Sequence, residues 1–145
     1  MGKKVLLLCI ITFIACMGCN KSEKYADVRA YISDMEAYLN QYADTMARAE
    51  NAGDVARAID QYIVKMTEFA ERSSSLAKKY PELARDEIPG ELKADFERLN
   101  ETANALPDKI SEPLEKYMSD PLVLNAILNR ANKQEEIIGM GMGKE

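Results

Sequence analysis

From Val28 onward the apolar residues recur at alternating steps of four and three: Val28, Ile32, Met35, Leu39, Tyr42, Met46 and Ala49. That spacing holds one stripe on one face of an α-helix and implies near-aligned, left-handed packing of the face against other helices. A second stripe follows at Val55, Ile59, Tyr62 with Ile63, Met66, Ala70, Ser73, Ala77 and Tyr80, flanked by Phe69 and Leu76. A third runs Leu92, Phe96, Leu99, Ala103 and Leu106, and a fourth Leu124, Ile127 with Leu128, and Ala131. Neither strand alternation nor an Asn-Gly hairpin signal interrupts them. The expected fold is all-α, an antiparallel up-down bundle of about four helices.

The breaks between stripes are chemically marked. Asn51-Ala52-Gly53-Asp54 predicts a tight turn with Gly53 in the left-handed conformation and Asp54 capping the next helix. The first two stripes should therefore form a hairpin with arms of about 25 residues, roughly 40 Å long. Lys78 and Lys79 suit the carboxyl end of the second helix, and Pro81 stops it. Residues 81–90 read as a linker with room for a helical turn. Pro107 and Pro113 leave two readings of the third helix: an end near Leu106 with a fresh start at Pro107, or one helix that continues with a kink. Asp120-Pro121 places a capping aspartate before a proline at the first helical position. Gly139-Met140-Gly141-Met142-Gly143 reads as a frayed end.

Ahead of the stripes, Lys3 and Lys4 precede the uncharged run Val5-Leu6-Leu7-Leu8-Cys9-Ile10-Ile11-Thr12-Phe13-Ile14-Ala15. The run is too short for a hydrocarbon core, which needs roughly 20 residues, and has the length of a secretory h-region. Gly18-Cys19 and the polar stretch Asn20-Lys21-Ser22-Glu23-Lys24 follow. This segment resembles the lipobox of bacterial lipoproteins, in which a small residue precedes a cysteine that is diacylated and becomes the new N-terminus. The resemblance implies lipidation of Cys19, with Cys16, after Phe13-Ile14-Ala15, as the alternative. It divides the chain into a signal peptide (1–18), a lipid-anchored tether (19–24), the helical bundle (25–138) and a flexible tail (139–145). It also implies export, with acyl chains in membrane lipid holding the body at the periplasmic or outer face of a bacterial membrane. Neither cysteine is followed by aspartate, the mark of inner-membrane retention in enteric-type lipoproteins, so the outer membrane is favoured in a Gram-negative host. A tether of about five residues reaches at most roughly 17 Å, which sets the bundle against the bilayer with Lys21, Lys24 and Arg29 nearest the headgroups.

Composition removes most chemistries. The chain has no histidine, and its three cysteines all lie in the first nineteen residues. Ser-His-Asp and Cys-His catalysis, zinc hydrolysis and Glu-x-x-His di-iron sites all need imidazole. Glu68 with Glu71, and Glu82 with Asp86, have helical spacing, but a glycosidase pair needs a carbohydrate cleft and there is no tryptophan to line one. Those acids read as solvated helix charges. Neither catalysis nor a cofactor or metal is expected. The net charge is −5; without residues 1–18, which carry Lys3 and Lys4, 17 basic residues face 24 acidic ones, giving −7. Such a body repels a phosphate backbone, so no nucleic acid is expected as a partner.

The stretch from Met35-Glu36 through Glu50-Asn51-Ala52-Gly53-Asp54-Val55 to Lys65-Met66 is similar to the first hairpin of the small periplasmic four-helix bundles of the cytochrome b562 type. In that family a methionine near the start of the first helix and a histidine in the last hold the haem iron. Met35 matches the first position and nothing matches the second, so the resemblance implies the architecture without the haem. Tyr31, Tyr38 and Tyr42 lie along one side of the first helix with Met35 among them, and Tyr62 is placed to face them. They read either as a groove for an apolar or aromatic ligand or as boundary packing with hydroxyls reaching water. Two functions follow. One is a non-catalytic binding or structural module of the cell envelope with an envelope protein as partner. The other is a periplasmic carrier or sensor holding a small apolar ligand in the bundle core.

Overall fold

The structure, a computed structural model, describes residues 24–84 and 88–141, with side chains described for 24–83 and 88–133. The described residues form four α-helices: α1 (Ala26–Ala47), α2 (Ala52–Lys79), α3 (Lys93–Tyr117) and α4 (Pro121–Gly141). Short 3-10 turns at Pro81–Ala84 and Gly90–Leu92 lie between α2 and α3, where the linker was expected. The described residues contain no strand.

Hydrogen bonds and ion pairs give the directions. Asp27 meets Lys79 and Asp34 meets Arg72, so α2 runs antiparallel to α1. Arg29 meets Asp95, Glu36 meets Arg98, Asn40 accepts from Lys109, and the Glu50 carbonyl accepts from Tyr117, so α3 climbs beside α1 in the same direction. Val123 and Ala126 share a core with Val55 and Ile59, and Arg130 lies over Tyr62, so α4 descends beside α2. Consecutive helices thus alternate up and down. The most extensive contacts, however, are between the parallel pairs, α1 with α3 and α2 with α4, rather than between the two arms of the first hairpin. The small residues Ala43, Ala56, Ala58 and Ala126 are buried in this packing.

The core forms two clusters. The one near the α1–α2 turn contains Tyr42, Met46, Val55, Ile59, Ile63, Ile110, Val123 and Ala126; the one at the base contains Tyr25, Val28, Ile32, Leu39, Tyr80, Leu92 and Leu99. No charged or polar side chain among the described residues is buried. The first stripe is inside as expected, with Met35 and Ala49 half-buried. So is most of the second, although Ser73 is exposed. Ala103 of the third stripe is exposed, and that stripe continues to Ile110.

Several local expectations are corrected. Gly53 is the second residue of α2 rather than a left-handed turn residue, and no described glycine has positive φ. The cap is Asn51, one turn earlier than Asp54: its Oδ1 accepts from the Asp54 backbone N–H at 3.0 Å, while Asp54 Oδ2 accepts from Asn51 Nδ2 at 2.9 Å. Asn51 thereby satisfies one backbone donor that a helix start leaves open, and Asp54 holds the Asn51 side chain in place. Of the two readings left open by Pro107 and Pro113, the continuous helix is the one found, with both prolines inside α3. In α4 the buried residues are Val123 and Ala126, with Ile127 half-buried, while Leu124, Leu128 and Ala131 of the expected stripe are exposed. Residues 122–128 are apolar except for Asn125, so two stripes compete, and only the fit against α2 decides. Finally, α4 runs through Gly139 and Met140 to Gly141, past the expected start of a flexible tail. Glycine lowers helix stability there by about 1 kcal/mol per residue relative to alanine, but it does not clash with helical geometry.

Candidate functional site

The expected tyrosine face assembles as a ladder of rings between α1 and α2. Tyr42 and Tyr62 stand 4.6 Å apart at 37°, and Tyr38 stacks on Tyr62 at 6.3 Å. Tyr31 does not join them directly. It reaches the group through Phe69, which takes its edge-on ring at 5.8 Å and touches Tyr38 at 6.0 Å. Met35 is half-buried on the base cluster, alongside Tyr31, Tyr62 and Met66. The structure thus joins Tyr38 and Tyr42 through Tyr62, and adds two residues that the tyrosine spacing does not mark. Phe69 was visible as a flank of the second stripe. Arg130, whose guanidinium lies 4.8 Å over the Tyr62 ring, had no signal, because α4 was assigned the other face. A guanidinium over a phenol ring is attracted by the ring's negative face, and Arg130 is half-buried there.

The phenols are poor acids in this setting. Burial pushes Tyr42 up to about 12, and burial, reinforced by Tyr42, Tyr62 and Glu68, pushes Tyr38 up to about 12. Burial also raises Tyr31. All three stay neutral at physiological pH and can donate one hydrogen bond each. Tyr42 is 3% exposed, and its hydroxyl lacks a hydrogen-bond partner among the described residues. The arrangement can hold an apolar or aromatic group and offer it a phenolic donor. The sequence has no histidine to place an imidazole beside it.

A second, polar cluster closes the base, where the described chain begins. The Tyr25 and Tyr80 rings sit 5.2 Å apart. Tyr25 Oη donates to Glu82 Oε1 at 2.8 Å, and Tyr80 Oη lies 2.8 Å from both the Lys24 carbonyl and Asp27 Oδ1. Lys24 pairs with Glu82 at 2.9 Å and Lys79 with Asp27 at 2.6 Å. Hydrogen bonding from Lys24 holds the Glu82 carboxyl down to about 2, and Lys79, then Tyr80, lower Asp27. Arg29 pairs with Asp95 and donates to the Glu91 carbonyl. The basic residues expected to meet headgroups, Lys24 and Arg29, thus already have carboxylate partners. Lys21 lies outside the described residues.

The lipidation candidates Cys19 and Cys16 also lie outside the described residues. Among the described residues, no helix is long and apolar enough to cross a membrane, and no group of three or more His, Cys, Asp or Glu could hold a metal ion. No family model, curated protein or solved structure matches this chain.

Proposed function

We propose that this chain is a lipid-anchored lipoprotein of the bacterial envelope whose helical bundle is a non-catalytic binding or structural module. The observation that carries the reading is the leader itself: Lys3-Lys4, an uncharged run of signal-peptide length, then Gly18-Cys19 and a polar stretch. The base geometry is consistent with it. Lys24 is bonded to Glu82 and Tyr80, only five residues beyond Cys19, so an acylated Cys19 would hold the base within roughly 17 Å of the bilayer. Two acyl chains give a stable anchor where one gives marginal binding. The absence of aspartate after Cys19 favours the outer membrane where the host has one.

The test is palmitate labelling in a bacterial host followed by mass spectrometry of the N-terminal peptide. The expected product begins at diacylated Cys19, and Cys19→Ser abolishes labelling while Cys16→Ser leaves it intact. Label surviving in Cys19→Ser but lost in Cys16→Ser moves the anchor to Cys16. Recovery of the unlipidated chain from the cytosol, still starting at Met1, overturns the proposal.

One observation favours the carrier reading: the buried Tyr42 hydroxyl with no partner among the described residues, set among rings that would suit an apolar ligand. A small apolar molecule retained in native mass spectra of the membrane-purified protein, and lost in Tyr42→Phe, would establish that reading in place of the first.

A further inference from the structure

The outer face of α4 exposes several large apolar side chains. Leu122, Leu124 and Leu128 are 57%, 44% and 60% exposed, and Met118, at the turn into α4, is 53% exposed. The polar residues interleaved with them are Asn125, Asn129 and Asn132, all exposed. Charged residues make up 30% of the chain, yet the twelve residues from Pro121 to Asn132 contain one, Arg130. That one is turned inward onto the Tyr62 ring. The exposed arc of these three turns therefore carries no charge. A solvated face of so acidic a protein has no reason to lack charge, whereas a covered face does.

We propose that this face is an interface between two copies of the chain, packing α4 against α4 of the second copy in parallel. Three features select a second copy over another occupant. First, around a two-fold axis along the helices each residue on the seam meets its own kind, so a charge there would repel itself; the exposed arc from Leu122 to Asn129 has none, and Asp60 and Lys133 border it only beside Asn129 and Asn132. Second, the polar residue used is asparagine, whose amide carries both donor and acceptor and so can pair with itself. Buried Asn–Asn pairs at matching heights are the device that sets parallel register in two-helix seams. Third, the area fits. Four side chains exposing roughly 100 Å² each amount to about 400 Å² of apolar surface per copy, inside the 300–600 Å² range of patches that are often functional. Doubled, that supplies the apolar share of a small standard-size interface of about 1,200–1,600 Å². The 4-3 spacing of Leu124, Leu128 and Ala131, and the same spacing of Asn125, Asn129 and Asn132, give two adjoining stripes down the helix. This is the stripe that the sequence marked as core and that the single chain leaves uncovered.

The test is the mass of the full chain in detergent micelles by sedimentation equilibrium, with helicity followed by circular dichroism. The wild-type chain should be dimeric at micromolar concentration. Asn129→Asp and Asn129→Lys each set like charges against each other and should weaken the dimer by about tenfold or more, the size of a 1.4 kcal/mol change, with helicity unchanged. Mixing the two variants one to one should restore a dimer holding one of each. A wild-type chain still monomeric at about 100 µM overturns the proposal, since that excludes any dimer tighter than about −5.5 kcal/mol. Two monomeric variants that fail to pair on mixing overturn the parallel register. A photo-crosslinking residue in place of Leu128 that captures another protein and not a second copy overturns the choice of partner.

Discussion

Replacing Tyr42 by phenylalanine should stabilise this protein, although tyrosine-to-phenylalanine changes in a core usually cost stability. The ring is 3% exposed and its hydroxyl has no hydrogen-bond partner among the described residues. An unsatisfied buried hydroxyl costs about 1–3 kcal/mol relative to its hydrated state in the unfolded chain. Tyr42→Phe removes that cost and keeps the ring that stands 4.6 Å from Tyr62. The space vacated is about one atom, roughly 10–15 Å³, worth about 0.3 kcal/mol at the usual cavity rate. The net expectation is a gain of about 1 kcal/mol, or a rise in Tm of roughly 3–6 °C for a body of this size. Urea denaturation followed by circular dichroism measures it, with the slope of the transition unchanged. A second readout follows from titration. The folded-state value for the Tyr42 phenol, about 12, lies above the ordinary 10, so its contribution to stability is fully present below pH 10 and is lost as pH rises from 10 through 12. Tyr42→Phe should flatten that part of the alkaline decline. A loss of 1 kcal/mol or more on substitution would refute the reasoning, because it would mean that a water or ligand already satisfies the hydroxyl.

Asn51→Ala removes the side chain that accepts the Asp54 N–H and should cost about 1 kcal/mol in the same assay, with Asn51→Ser restoring most of it. Pro107→Ala returns a backbone donor to the Ala103 carbonyl in an exposed stretch of α3 and should stabilise by about 2–3 kcal/mol; a destabilisation would mean that the proline shapes the helix for its neighbours. The Glu82 carboxyl, held at about 2 against an ordinary 4.5, contributes stability that is present above pH 4.5 and is lost as pH falls from 4.5 through 2. Carbon-detected NMR titration should show Glu82 ionised at pH 3, and Lys24→Met should return its midpoint toward 4.5.

How far the chain itself specifies this molecule can be judged element by element. The first stripe was legible because each position from Val28 to Met46 falls on one helical face and almost all of them are buried or half-buried; hydrophobic period is a local property, and burial follows it. The helix start at Pro121 was equally local, marked by a capping aspartate and a proline with its fixed φ. At this turn the sequence pointed to Asp54 as the cap, whereas the path of the chain makes Asn51 the cap and Asp54 its side-chain partner.

The candidate site divides the same way. Tyr31, Tyr38 and Tyr42 share a side of α1 by spacing alone. Their joining through Phe69, and the arrival of Arg130 on Tyr62, required the rotation of α2 and α4 about their own axes. In α4 nearly every position from Leu122 to Leu128 is apolar, so period carries little information and packing against α2 chose Val123 and Ala126. The pairing of α1 with α3 and of α2 with α4 was likewise beyond reach of the sequence, because heptad stripes state that a face is buried but not against which partner. Helix identity, length and face are written in neighbours three and four residues apart. Which helix lies against which is settled by contacts between residues tens of positions distant, where small differences in packing decide among arrangements that bury the same stripes.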